Sequence, residues 1–161
     1  MLLYLIRHGE AQSEQARSAP GRYREPGSLT DKGREVVLKN SRLIKKKGAV
    51  IDEIWHSAKL RAKQTADIIA DELGVKDVYK KSFLLPTDPV DKCLEKIESL
   101  GESNLAIVGH LPYLSNLAEA LLSLSDKMLD FKAGGIACLS SNGSVWRIEW
   151  LVGAEVLKKA P

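Results

Sequence analysis

The sequence predicts an α/β protein: a three-layer sandwich with a mostly parallel sheet, helices on both faces and a C-terminal β-hairpin. Three observations carry this. Short apolar runs, "MLLYLIR" (1–7), "IDEIWHS" (51–57) and "NLAIVGH" (104–110), are separated by longer segments of helical period. The first and last runs are almost wholly apolar, as strands covered on both faces are. Near the end the period changes to two around Asn142-Gly143, a strong hairpin signal.

Each element has a local reason. Residues 1–7 form a buried strand that ends at Gly9. Residues 12–28 are polar and hold Pro20, Gly21, Pro26 and Gly27, a loop longer than most connections. Thr30 N-caps a helix running to about Lys47, with Val37 and Ile44 inward and Gly48 as the stop. Residues 51–57 form the second strand. Ser57 can cap the helix that follows, whose stripe is Ala62, Ala66, Ile69 and Leu73 and whose stop is Gly74. "VYKKSFLL" (78–85) holds a short strand. In "DPVDKCLEKIESLG" (88–101), Asp88 reads as N-cap, Pro89 as the first helical residue, and Val90, Cys93, Ile97 and Leu100 as the stripe. After the strand at 104–110, Pro112 starts a helix with Leu114, Leu117, Ala118 and Leu121 inward. In the hairpin, Trp146, Ile148 and Trp150 are expected to share one face.

In an open parallel sheet a ligand lies beyond the carboxyl ends of the strands. Polar groups gather there. The first strand delivers Arg7, His8 and Gly9. The second ends at His56-Ser57, before a helix whose first turn holds Arg61. The strand at 104–110 ends at Gly109-His110, again before a helix. Arg7, His8, Arg61 and His110 can therefore converge, beside helix N-termini with free N–H groups. Such a set of cations and donors wants a compact anion with several acceptors, and phosphate fits. Two guanidinium forks can grip a phosphoryl group, and Gly9 would let backbone approach it. A neutral His8 could then attack phosphorus and form a phosphohistidine that water releases. The arginines and His110 would stabilise the transferring group.

Four motifs now stand in order: "RHGE" (7–10), "LTDKG" (29–33), "SAKLRAKQTA" (57–66) and "VGHLP" (108–112). With these the chain resembles the histidine phosphatase, or phosphoglycerate-mutase-like, superfamily. The resemblance implies an α/β sandwich, His8 as the phosphorylated nucleophile, and Arg7, Arg61 and His110 as the phosphate pocket, without a metal or other cofactor. The short length and the "RAKQTA" segment look most like the small phosphohistidine phosphatases of the SixA type. Several positions depart from the family pattern. Ala58 stands where proline is usual, and Gly27-Ser28 where the short group often has Arg-Pro, after a loop holding Arg22, Tyr23 and Arg24. Glu14 stands where mutase-type members carry asparagine. Asp88 is the nearest candidate for a general acid, although a helix cap accounts for it more simply.

Bulk properties narrow the classes. A chain of 161 residues suits a single domain, taken as 1–161. The net charge of +3, with both signs interspersed, argues against nucleic acid as partner. "KKKG" (45–48) and "YKK" (79–81) read as solvated faces. Cys93 and Cys138 make neither a disulfide framework nor a zinc spacing, and read as buried thiols of a reducing compartment. The N-terminal apolar run is too short for a signal core or a membrane span, so the expected location is cytoplasmic and no membrane partner is expected.

The leading expectation is a metal-independent phosphatase acting through phospho-His8 on phosphohistidine of a partner protein. A phosphatase of a small phosphorylated metabolite, sharing the mechanism, is the second reading. A non-catalytic module that binds phosphorylated ligands is the third. A metal site of His8, His110 and a carboxylate is disfavoured, because two adjacent arginines would repel a divalent cation.

Overall fold

Leu3, Tyr4, Leu5 and Ile6 are all buried in strand β1 (Leu2–Arg7), because layers of helix cover both faces of the sheet it belongs to. The computed structural model describes residues 1–14 and 25–161. The elements that follow are α1 (Asp31–Lys46), β2 (Glu53–His56), α2 (Leu60–Leu73), β3 (Asp77–Lys80) and α3 (Asp91–Glu98). Then come β4 (Leu105–Gly109), α4 (Tyr113–Leu122), β5 (Lys127–Ser141) and β6 (Trp146–Lys158). The six strands form one sheet in the order β3-β2-β4-β1-β5-β6. The first four in that order run parallel, and β5 and β6 are antiparallel.

Alternation along the strands sorts the core into two halves. On one face Leu3, Leu5, Leu105 and Ile107 meet Cys93 and Ile97 of α3 and Leu114 and Leu117 of α4. On the other, Tyr4, Ile6, Ala106 and Val108 meet Val37 and Ile44 of α1 and Ala62, Ala66 and Ile69 of α2. Each fully buried aliphatic side chain contributes ~1.5–3 kcal/mol relative to exposure. This is the three-layer α/β architecture expected, with the hairpin at one edge. Both cysteines are buried, and burial pushes each thiol up to about 11. Among the described residues no helix is long and apolar enough to cross a membrane.

Helix α1 begins as its sequence dictates. Thr30 is the N-cap, and its Oγ1 accepts the Gly33 N–H at 2.9 Å. Other starts differ from expectation. The N-cap of α2 is Lys59, and Ser57 lies two residues earlier, where its Oγ accepts the Lys59 N–H at 3.1 Å. Helix α3 begins at Asp91 after an N-cap at Val90, so Asp88 is not its cap. Asp88 closes the preceding turn instead, its Oδ2 accepting the Leu85 N–H at 2.9 Å. A short polar side chain can satisfy either arrangement, and the local sequence does not distinguish them.

The hairpin carries a second correction. Cys138 pairs with Trp150 but Leu139 pairs with Ile148, so Glu149 is an extra residue in β6. A bulge of one residue reverses which face every later side chain takes. Trp146 and Ile148 therefore pack with the α3/α4 layer and Trp150 with the α1/α2 layer, against Tyr4 at 6.0 Å between ring centroids. The expected common face for the three is thus broken at Glu149. A further irregularity between Phe131 and Ile136 carries β5 past the end of β1, where the Gly134 N–H donates to the His8 carbonyl at 3.0 Å.

Candidate active site

Strand register assembles the site. Arg7 in β1 stands opposite Gly109 in β4, and His56 in β2 opposite Val108. The chain leaves these adjacent parallel strands at His8, His110 and Ser57, which consequently emerge side by side. The His8 N–H still donates to the Gly109 carbonyl at 3.0 Å, extending the ladder by one bond.

The ring of His8 is held in one tautomer. Its Nδ1 lies 2.8 Å from the Gly9 carbonyl, which can only accept, so Nδ1 carries the hydrogen. In the neutral ring Nε2 then keeps its lone pair. Neutrality is enforced by burial first. The bond to Gly9 opposes it, the charges of Arg61 and Arg7 add to it, and the pKa falls to about 4.

His110 is 2% exposed, and its Nε2 lies 2.6 Å from Ser57 Oγ. Ser57 already accepts the Lys59 N–H, so its own O–H is free to donate to Nε2. In that arrangement Nδ1 is an N–H donor, and it is buried without a partner among the described residues. Burial, then His8, Arg61, Lys59 and Arg7, push this histidine down to about 3.

The two arginines are held differently. Arg7 Nη1 donates to the Phe131 carbonyl at 2.7 Å, which orients the guanidinium, while its buried Nε has no partner among the described residues. Arg61 comes from the first turn of α2. Its side chain is 21% exposed, and Nη1 stands 3.5 Å from Glu14 Oε1.

Gly9 serves a different purpose from the one expected. A Cβ there would lie 2.8 Å from Val37 Cγ2 and 3.0 Å from the Gly33 carbonyl oxygen, so packing against α1 demands the glycine. Its N–H is taken by Thr65 Oγ1 at 3.1 Å, and Thr65 in turn donates to the Arg61 carbonyl at 2.8 Å. Gly9 therefore locks β1 to α2 and orients His8; it has no amide left to offer a phosphate.

The "LTDKG" stretch proves to be the brace of this loop. Leu29 is fully buried, and its N–H donates to Gln64 Oε1 at 2.8 Å. The Thr30 N–H donates to the Glu10 carbonyl at 2.9 Å. A Cβ on Gly33 would sit 2.1 Å from that same oxygen, so only glycine permits the approach. Glu10 is exposed and accepts from Thr30 Oγ1 at 3.2 Å, in keeping with a place on the rim.

The structure thus brings Arg7, His8, Arg61 and His110 to one end of the sheet. Arg22, Tyr23 and Arg24 lie outside the described residues. Asp88 has its bond to Leu85 and none to either histidine. Ser57, Lys59, Thr65 and the Phe131 carbonyl were not anticipated as site residues. The signal for the first three was present, since they flank Arg61 inside "SAKLRAKQTA". Among the described residues no three His, Cys, Asp or Glu side chains gather where they could hold a metal ion. A cleft of about 690 Å³ opens beside Met1, Ile97, Gly101 and Trp146, and is lined by none of these site residues.

Known proteins resemble this chain to different extents. Residues 3–84 match the model of the histidine phosphatase superfamily (branch 1). The chain is 39% identical over 77 residues to a 2,3-bisphosphoglycerate-dependent phosphoglycerate mutase of Parvibaculum lavamentivorans, a stretch covering 48% of this chain but 36% of that enzyme. It is 32% identical over 151 residues to an uncharacterized protein of Picosynechococcus sp., covering 89% of this chain and 87% of the other. The structure of the protein histidine phosphatase SixA complexed with tungstate superposes with a TM-score of 0.81 at 22% identity, covering 95% of this chain and 97% of that one. With a family match running from β1 through β3 and a relative matched over nearly its whole length, the chain belongs to the histidine phosphatase superfamily.

Proposed function

We propose that the protein is a phosphatase that transfers a phosphoryl group to His8 Nε2 and then to water, with phosphohistidine on a partner protein as its substrate. One observation carries this reading. A histidine kept neutral, with Nε2 available, stands beside two guanidiniums, and two buried donors there, Arg7 Nε and His110 Nδ1, have no acceptor among the described residues. Unpaired buried donors are costly, and a tetrahedral oxyanion offers the acceptors they lack. The tungstate bound to SixA is an oxyanion of that shape, which supports the same assignment here.

The chemistry follows from the tautomer. The Nε2 lone pair forms a bond to phosphorus as the bond from phosphorus to the leaving atom breaks, and the electron pair departs with the leaving group. The phosphoimidazole gains positive charge, which the Nδ1–H to Gly9 carbonyl bond disperses. Arg7, Arg61 and His110 hold the equatorial oxygens. Water then attacks phosphorus, and His8 recovers its lone pair. None of these steps calls on a metal.

The choice of substrate rests on the leaving group. An alkyl phosphate expels an alkoxide unless an acid protonates it, help worth about 10²–10⁴-fold. A phosphohistidine protonated on its ring expels a neutral imidazole and needs no acid. Among the described residues His8 and His110 have no carboxyl group as a hydrogen-bond partner, and Asp88 holds a turn. The 39% match to a phosphoglycerate mutase favours a small phosphate monoester as the second reading.

A panel of phosphohistidine protein, phosphoserine peptide and sugar phosphates decides between them. Phosphohistidine is expected to be turned over fastest, and acid quenching should trap an acid-labile phosphoryl group that His8→Ala abolishes. Full activity in the alanine variant would overturn the mechanism. A wild-type preference for sugar phosphates would promote the second reading.

A further inference from the structure

An anion of the chain itself already sits on the proposed phosphate clamp. Glu14 Oε1 lies 3.1 Å from Lys59 Nζ and 3.5 Å from Arg61 Nη1. Glu14 is 58% exposed and Lys59 39%, against 21% for Arg61, so the carboxylate meets Arg61 from the solvent side. Arg61 belongs to α2, whose first turn Thr65 ties to Gly9, so the guanidinium reorients on a fixed backbone.

We propose that Glu14 is a specificity-determining residue, which holds Arg61 until a phosphoryl group displaces it and then selects for substrates carrying positive charge near phosphorus. This rests on the reading of Arg61 as a phosphate ligand. An incoming phosphoryl dianion competes with the carboxylate for the same guanidinium fork. Once displaced from Arg61, Glu14 stays close through Lys59, and two anions then face each other across the rim. A substrate that brings a further negative charge, such as a carboxylate-bearing phosphate monoester, adds to that repulsion. A protonated phosphohistidine ring, or a Lys or Arg beside it on a protein, turns it into attraction.

The test is equilibrium binding of inorganic phosphate to wild type, Glu14→Gln and Arg61→Ala. Glutamine keeps the length of the side chain and an acceptor for Lys59 while removing the charge. At low salt Glu14→Gln is expected to bind phosphate about 2- to 5-fold more tightly than wild type, in the range of an exposed charge pair. The gain should shrink at high ionic strength. The preference for phosphohistidine protein over 3-phosphoglycerate should fall by a similar factor, through KM rather than kcat. Equal phosphate affinity in wild type and Glu14→Gln, with Arg61→Ala clearly weaker, would overturn the role of Glu14 alone. Phosphate that binds none of the three would overturn the phosphate site as well.

Discussion

The rings of His8 and His110 stand with centroids 5.0 Å apart and planes tilted by 57°. Burial first, and then the charges of Arg61 and Arg7, keep both rings from taking up protons near neutrality. The bonds to the Gly9 carbonyl and to Ser57 Oγ then leave His8 with a free lone pair at Nε2 and His110 with an N–H at Nδ1.

The depressed values make both stability and turnover depend on pH. The folded values are about 4 for His8 and about 3 for His110, whereas both rings take up protons near 6.5 in the unfolded chain. Between these values the unfolded state binds more protons, so stability is complete above about pH 6.5 and falls as the pH drops toward 4 and then 3. Melting temperatures measured across that window should decline in wild type and decline less steeply in His8→Ala. Turnover should stay level down to about pH 5 and fall below it, where Nε2 becomes protonated. A rate that drops through pH 6.5 would contradict a depressed His8.

The two arginines should separate by their effects on stability. Arg61→Ala is expected to lower turnover by about 10²–10³-fold with little change in Tm, since its pair with Glu14 is solvent-exposed. Arg7→Ala should cost a similar factor in rate and also ~1–3 kcal/mol of stability, because the Phe131 carbonyl loses its donor. Lysine at either position should restore charge but not the fork, and recover only part of the rate. Thermal melts and steady-state kinetics on the four variants check this.

Ser57→Ala leaves His110 Nε2 and the Lys59 N–H without their partner. The expected cost is ~1–3 kcal/mol in denaturant unfolding. Turnover should fall about 10- to 100-fold as His110 loses its orientation. Unchanged turnover would remove Ser57 from the site.

Gly33→Ala drives a Cβ into the Glu10 carbonyl oxygen, 2.1 Å from its ideal position. Destabilisation of ~1–3 kcal/mol and a loss of turnover are expected together, since Glu10 adjoins the Arg7-His8-Gly9 loop. Gly48→Ala is the control. It meets open space and costs only the strain of its φ of +82°, without loss of turnover. Unfolding curves with parallel activity assays distinguish the two.

Asp88→Asn keeps an oxygen able to accept the Leu85 N–H. Stability and phosphohistidine turnover should therefore be nearly unchanged. A collapse of alkyl-phosphate turnover that spares aryl phosphates would instead identify Asp88 as an acid.

Much of the architecture was legible because it is written in short-range periodicity. The strands at β1, β2 and β4, the Thr30 cap, the Gly74 stop and the Asn142-Gly143 turn each depend on neighbours a few residues away. The convergence of Arg7, His8, Arg61 and His110 was legible for a related reason. Parallel strands in one sheet end on the same side, so residues after their carboxyl ends are neighbours whatever their separation in the chain. What failed were positions with two local solutions of similar energy. Asp88 could cap a helix or close a turn, and β6 could run flat or bulge at Glu149.

The sequence by itself determined which residues form strands and helices, where most elements stop, and which charged and titratable groups leave the strand ends. Only the tertiary structure decided what those groups touch. Ser57 serves His110 across 53 residues, Thr65 ties Gly9 to α2, Phe131 lends its carbonyl to Arg7, and Glu14 rests on Arg61. A hydrogen bond is made at about 3 Å and is lost within another ångström. The partners are therefore chosen by how the helices pack on the sheet, a distance no local pattern of residues encodes.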